Sequence, residues 1–297
     1  MRRMTRTTVV TMSLILVILV AGFHVVSYVV SNYRSLNIRT RLHFPWPNRN
    51  RISNETRPFS NGLTSSERAT LLAIFGAVTD ALRGGNVTFW IDGGTLLGSY
   101  RHHNLIPWDD DVDLVFRRSQ MRQARRAIES LAPEYRLYTE NDGPDSAEHS
   151  WRVFPSTAGV PVPGKRFRFP AVDLIFYGEN ATYVWIDPYN VFLYNIWHRT
   201  TVFPLHLRPF DGYWVPSPCD VETYLMSWYG PRAMDECMSR KVTHRTFTDH
   251  IPIYVPCSKL LRGIPVVKRK HNGNGSVTET LVRGGKIIHQ HVILRKC

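Results

Sequence analysis

The first pattern along the chain is an almost unbroken apolar run from Val9 to Val30, with no Asp, Glu, Lys or Arg in it. That length suits a helix crossing a bilayer and exceeds the apolar core of a cleaved signal peptide. Arg2, Arg3 and Arg6 precede the run, and basic flanks of this kind stay cytoplasmic. The N-terminal region therefore reads as a cytoplasmic tail (1–8), a transmembrane signal-anchor (9–30) and a stem (31–62) rich in Arg, Asn, Pro and Ser. A stem of that composition holds a folded domain away from the membrane.

Beyond the stem the periodicity changes. Thr64-Ser65-Ser66-Glu67 has the spacing of a capping box, and apolar residues follow at Leu71, Leu72, Phe75, Val78 and Leu82. This predicts a helix that ends at Gly84-Gly85. Val87 to Ile91 reads as a short strand entering a glycine turn at Gly93-Gly94, followed by a helical turn or two through Leu96, Leu97 and Tyr100. Asp111 to Phe116 reads as a second strand with Val112, Leu114 and Phe116 facing the core. Ser119 is placed to cap a basic helix running to about Leu131, its buried stripe being Ala124, Ile128 and Leu131. Ala171 to Phe176 is an apolar strand interrupted by Asp173, with Tyr183 to Ile186 continuing it as a hairpin. Asp220 caps a last helix that ends near Gly230. Strands alternating with helices indicate an α/β domain.

Charge changes this picture only in part. The net charge of +13 would ordinarily point to nucleic acid, but the anchor argues against that partner. So do four N-glycosylation acceptor patterns, at Asn54, Asn86, Asn180 and Asn274. In a secretory compartment, anionic donors such as nucleotide-linked sugars, or phosphorylated glycans, account for a basic surface equally well. The segment 259–297 is the most lopsided, with nine Lys or Arg against one Glu, and reads as a solvated basic extension, the alternative being a basic lip over the site. Cys219, Cys237, Cys257 and Cys297 can form up to two disulfides in an oxidising lumen, with three possible pairings. Without a close Cys-x-x-Cys pair, they do not suggest a zinc site.

The candidate chemistry lies between residues 90 and 113. Asp92-Gly93-Gly94-Thr95-Leu96-Leu97-Gly98 is followed by Arg101 and then by Ile106-Pro107-Trp108-Asp109-Asp110-Asp111-Val112-Asp113. In an extended segment, period two puts Asp109, Asp111 and Asp113 on one face and Asp110 on the other. Like charges so close need a cation, and oxygen ligands suit the hard ions Mg²⁺ or Mn²⁺. A glycine turn leading into a helix N-terminus suits a phosphate. Asp173, costly to bury alone, supplies a further ligand if its strand lies beside Asp111 and Asp113; the alternative is a place at a strand edge or a pairing with an arginine such as Arg152. Trp108 reads as packing, and the adjacent His102 and His103 as surface residues.

Taken together, these motifs resemble the LicD family of phosphotransferases, which includes the fukutin-like proteins. The glycine turn, the arginine and the Pro-Trp-Asp block occur in its order and spacing. The strand around Asp173 is similar to its second acidic motif, and the stretch Phe203 to Gly230, with Phe210-Asp211-Gly212 and Tyr229-Gly230, to its weaker C-terminal signature. The resemblance implies a LicD-like catalytic domain over 63–258, built as a nucleotidyltransferase-like mixed sheet flanked by helices, with 259–297 as an extension outside it. It implies a metal site of Asp109, Asp111, Asp113 and Asp173, and donor phosphate binding by Gly93, Gly94, Thr95 and Arg101. It also implies Asp109, Asp111, Asp113 and Arg101 as the catalytic set. The activity implied is transfer of a phospho-alcohol, of the ribitol phosphate or phosphocholine type, from a CDP-linked donor to a glycan acceptor on protein or lipid. The expected setting is a Golgi or ER membrane, single-pass type II, with the catalytic domain lumenal. Fukutin-related members carry a further stem domain and a cysteine-rich zinc loop that this chain lacks. Two rival readings are a Golgi glycosyltransferase using a nucleotide-sugar through an Asp-x-Asp site and a non-catalytic lumenal glycan-binding protein. The glycine turn close before the acids and the intact acidic set argue against them.

Overall fold

A computed structural model describes residues 59, 62–139, 150–186, 196–239, 242–260, 264–273, 275–294 and 297. The expected tail and anchor, almost all of the stem, and the acceptor residues Asn54 and Asn274 lie outside the described residues. Among the described residues, no helix is long and apolar enough to cross a membrane.

Helix α1 (Ser65–Gly84) starts and stops where its sequence signals lie. Thr64 closes the capping box: its backbone N–H donates to Glu67 Oε2 at 2.9 Å, and its Oγ1 accepts from the Glu67 N–H at 3.3 Å. Leu71, Ile74, Phe75, Val78 and Leu82 form the buried stripe, packed over the central sheet and the helix at 121–129. Thr64→Ala is expected to cost about 1 kcal/mol, read as a fall of roughly 2–4 °C in melting temperature.

Strand β1 (Phe89–Ile91) leads directly into helix α2 (Gly93–His102), so the glycines are the first residues of a helix rather than a separate turn. Strand β2 (Val112–Arg117) comes next. The expected Ser119 cap is corrected: residues 118–120 form a 3₁₀ turn, and helix α3 (Met121–Glu129) begins behind Gln120. Gln120 is held in that place by β1's approach, its Oε1 accepting from the Thr88 N–H at 2.9 Å and its Nε2 donating to Asn86 O at 3.0 Å.

The chain continues through β3 (Tyr135–Thr139), β4 (Ser150–Pro155), the two-residue ladder β5 (Val160–Pro161) with β6 (Arg168–Phe169), and β7 (Val172–Glu179). β8 (Tyr183–Ile186) returns on β7 as the expected hairpin, and β9 (Ile196–His198) adds to β8. These strands make a mixed sheet of order β1-β2-β7-β4-β3, with β8 and β9 joined to the later part of β7. β2 and β7 are the parallel pair at its centre, and Asp113 lies directly across from Asp173. Val112, Leu114, Val115 and Phe116 are all fully buried, because β2 is covered on both faces along this stretch.

A one-turn helix α4 (Arg199–Val202) precedes the hairpin β10 (His206–Phe210) and β11 (Tyr213–Ser217). Helix α5 (Val221–Tyr229) is capped by Asp220, whose side chain accepts from the Thr223 N–H, and stops at Gly230. Short ladders pair β12 (Glu236–Met238) with β15 (Tyr254–Pro256) and β13 (Val242–Thr243) with β14 (Thr248–Asp249). Cys237 is bonded to Cys257, and Cys219 to Cys297.

The basic C-terminal region is not the solvated tail that its charge suggested. β16 (Val266–His271), β17 (Ser276–Arg283) and β18 (Lys286–Leu294) form an antiparallel sheet that packs against α2. Its anchor is Glu279, 2% exposed, which accepts from Arg208 Nη2 at 2.9 and 3.0 Å and from Arg269 Nε at 2.8 Å. Lys259, Lys268, Lys270, Arg283 and Lys286 are exposed, so composition alone read the segment as polar. His102 and His103, expected at the surface, are also buried, 2% and 3% exposed. The C-terminal sheet covers them: His102 Nδ1 lies 2.8 Å from Pro265 O, and His103 Nε2 lies 2.8 Å from Glu279 Oε2.

Candidate active site

The acids converge at the N-terminal end of α2, although not by the simple alternation expected. Only Asp113 belongs to β2; Asp109 to Asp111 form the loop before it, turned by a hydrogen bond from the Asp109 N–H to Ile106 O. α2 starts at Gly93, so the N–H groups of Gly93, Gly94 and Thr95 lie in its first turn, where no intrahelical acceptor exists. The two glycines leave room for the carboxylates. A Cβ on Gly94 would sit 2.6 Å from Asp109 Oδ2, and one on Gly93, at φ +51°, would sit 3.1 Å from Asp113 Oδ2. Thr95 works locally: its Oγ1 accepts from the Asp113 N–H at 2.8 Å and fixes the start of β2 against α2.

Electrostatics reports how closely the acids are gathered. Burial, then the charges of Asp111 and Asp110, raise the Asp109 carboxyl well above the usual range. Burial, then Asp111, Asp173 and Asp92, do the same to Asp113. Asp173 is raised by burial against the opposing charge of Arg152. Both readings of Asp173 are therefore realised at once: it faces Asp113 across the parallel pair, and Arg152 Nε reaches its Oδ1 at 2.9 Å. Such a set of carboxylates cannot all be ionised without more positive charge than these neighbours supply. The oxygen donor set, and the cradle the two glycines leave for it, fit a hard divalent ion.

Several participants carried little or no signal in the sequence. Asp110, expected to point away, is buried and accepts from His244, with Nδ1 to Oδ1 at 2.8 Å and a further bond from the His244 N–H at 3.3 Å. His244 Nε2 is also 3.4 Å from Asp111 Oδ2. Burial works against a charged ring there, but Asp111, the Asp110 hydrogen bond and Asp173 outweigh it and push His244 up to about 10. Asp110, Asp111 and His244 bring ligand-capable atoms within 4.8 Å of one another. Nothing marks His244 in the sequence, since it sits alone in a polar stretch 131 residues beyond Asp113.

Asp92 and Tyr229 were legible only as parts of the motifs that contain them. Burial raises Asp92 to about 6 despite the hydrogen bond from the Tyr224 hydroxyl, at 2.7 Å. Burial and the neighbouring acids Asp109 and Asp113 hold the Tyr229 phenol protonated well past its ordinary range.

Arg101 does not face this cluster. Its guanidinium donates to the carbonyls of Ala233 and Glu236, the latter at 2.8 Å, and so braces the turn at 233 against the start of β12. Burial lowers it to about 10. The arginine beside the acids is Arg152. It stacks over Phe167 and Phe247 at 4.9 and 5.1 Å, and a cleft next to Asp111 and Asp173 is walled by these groups with Phe169, Arg168 and His244. Trp108 packs, as expected, edge-on to Phe59 with its Nε1 donating to Met238 O at 2.9 Å. Trp151 is buried in the core.

Gly94→Ala separates site geometry from stability. Alanine favours a helix by about 0.5–1 kcal/mol over glycine, so the variant is expected to melt no lower than the wild type. Its Cβ displaces Asp109, and a shift of that kind costs about 10²-fold in turnover. Parallel thermal melts and rate measurements check both halves.

Residues 86–220 match the family profile described as LicD/FKTN/FKRP, nucleotidyltransferase domain. Over 37 residues the chain is 51% identical to ribitol 5-phosphate transferase FKRP of Homo sapiens, a stretch covering 12% of this chain and 8% of that protein. It is 40% identical over 37 residues to the lipopolysaccharide cholinephosphotransferase LicD of Haemophilus influenzae, covering 12% and 14%. The chain thus matches about a tenth of the length of these curated relatives. Among solved structures, the lincosamide antibiotic adenylyltransferase LnuA aligns with TM-score 0.30 and 13% identity, over 53% of this chain and 82% of that one. Residues 86–220, with their glycine-led helix and Pro-Trp-Asp block, are thus similar to the nucleotidyltransferase domain of the LicD family.

Proposed function

We propose that this protein transfers a phospho-alcohol, of the ribitol phosphate or phosphocholine type, from a CDP-linked donor to a glycan hydroxyl. The observation that carries the reading is the gathering of Asp109, Asp111, Asp113 and Asp173 against the first turn of α2, with the glycine cradle beside them. In the reaction the acceptor oxygen forms a phosphodiester, the phosphoanhydride bond of the donor breaks, CMP leaves, and the hydroxyl proton is released. Protein groups contribute chiefly position and charge in such transfers.

Asp109, Asp111, Asp113 and Asp173 would hold Mg²⁺ or Mn²⁺, which when bound neutralises the donor diphosphate and polarises the phosphoryl oxygens. Arg152 and the cationic His244 keep positive charge beside the same cleft, where the donor phosphates need it. The N–H groups of the first turn of α2 suit a phosphate oxygen. Two disulfides and the exposed acceptor asparagines Asn86 and Asn180 support a lumenal site in the Golgi or ER, on a type II membrane protein anchored through residues 9–30.

The test is a screen of CDP-ribitol, CDP-glycerol and CDP-choline for CMP release by the full chain, with and without EDTA. Metal-dependent release from one of them is expected, together with thermal stabilisation by CDP plus Mn²⁺. Selective stabilisation by UDP or GDP, with no CMP release, would turn the reading toward a glycosyltransferase.

A further inference from the structure

We propose that His103, His289 and His291 form a second metal site, built for a borderline transition ion such as Zn²⁺ and separate from the carboxylate cluster. His289 and His291 are alternate residues of β18, so both rings project from one face of the C-terminal sheet. His103 meets them from the C-cap of α2, where a left-handed backbone at φ +52° ends the helix. The ligand-capable nitrogens of the three lie within 4.8 Å of one another. His103 Nδ1 is 2.7 Å from His289 Nε2, and the two rings stack 4° from parallel. The His291 ring lies 4.6 Å from that of His289 and 5.7 Å from that of His103, centre to centre.

Glu279 gives the cluster its direction. Its Oε2 lies 2.8 Å from His103 Nε2, so Nε2–H donates to the carboxylate and the Nδ1 lone pair is left aimed at His289. A carboxylate behind a histidine that presents its other nitrogen is the arrangement that orients metal-binding imidazoles. Tetrahedral zinc, with bonds of about 2.0–2.1 Å, separates ligand nitrogens by about 3.3 Å. Reaching that spacing lengthens the 2.7 Å His103–His289 contact by about 0.6 Å, with the half-exposed His289 ring turning so that both lone pairs meet the ion.

An all-imidazole set suits Zn²⁺, Cu²⁺ or Ni²⁺ and not Mg²⁺ or Mn²⁺, whereas the carboxylates at the other end of α2 have the opposite preference. Ten helical residues put the two ends about 15 Å apart, so neither ion would share ligands with the other. Three protein nitrogens leave the fourth position to solvent. Bound there, the ion would tie β18 to the same helix whose first turn cradles the acids.

The experiment uses the full chain, stripped with a chelator, reloaded with Zn²⁺ in excess Mg²⁺, desalted, and assayed for metal by mass spectrometry. One equivalent of zinc is expected for the wild type and none for the His289→Gln/His291→Gln double variant, with affinity lower by at least about 100-fold. Neither histidine touches the acids, so metal-dependent CMP release should be unchanged in that variant. A wild type that retains no zinc, or a variant that retains as much as the wild type, would overturn the proposal. Cobalt reports the ligand set without any variant. Strong visible bands of a four-coordinate nitrogen site are expected, and a weak six-coordinate oxygen-type spectrum would equally overturn it.

Discussion

Asp111→Asn is expected to lower turnover by on the order of 10³-fold or more while leaving the melting temperature at or above that of the wild type. Asp111 is the acid that the others feel most: its charge raises both Asp109 and Asp113, and also helps to hold His244 cationic. Removing it relieves repulsion among the buried carboxylates, so folding is not harmed. His244 keeps its 2.8 Å bond to Asp110. What is lost is an anionic oxygen of the proposed cation-binding set, and an amide would neutralise no charge on the ion or the diphosphate. Rates of CMP release under saturating metal, set beside thermal melts, check the prediction. Full turnover in a folded Asp111→Asn protein would remove the carboxylate cluster as the catalytic centre.

Glu279→Gln is expected to be strongly destabilising, at about 3–5 kcal/mol. Glu279 is 2% exposed and is the shared counter-charge for Arg208, itself 4% exposed, and for Arg269. Its charge is held by these partners: burial opposes ionisation, but the His103 hydrogen bond, Arg208 and Arg269 bring its carboxyl down to about 2. Glutamine keeps the shape and removes the charge, so two guanidiniums remain packed about Tyr100, one 3.3 Å above its ring, with no anion between them. The melting temperature should fall by on the order of 10 °C. A shift within 2 °C of zero, a small fraction of that roughly 10 °C fall, would mean that solvent already screens the cluster.

Legibility in the sequence followed the range of the interaction. Helix α1 could be read to the residue because Thr64, Glu67 and the glycine end are local signals, and its stripe needs only its own periodicity. Strand β2 was legible for the same reason, and the acidic block was marked by charge density. The Ser119 cap failed because a competing contact, Gln120 to the Thr88 N–H and Asn86 O, comes from another element. Asp110 failed because the period of two holds in a strand, whereas residues 109–111 are loop. The extension was misread because nine cations in 39 residues dominate the composition, while its fold depends on one buried glutamate and the alternation around it.

The pairing of Asp173 shows where the boundary falls. Sequence by itself determined that this chain has a glycine-led helix, an acidic block and a second acid in an apolar strand, because each is written in adjacent residues and in side-chain chemistry. Only the tertiary structure decided that β2 and β7 run parallel with Asp113 against Asp173, and that Arg152 and His244 join them. It likewise decided that Arg101 turns instead to the carbonyls of 233 and 236. Those contacts join residues separated by between 21 and 135 positions. Local periodicity carries no information about such partners: they are selected by the packing of the whole domain and by the need to pair every buried charge.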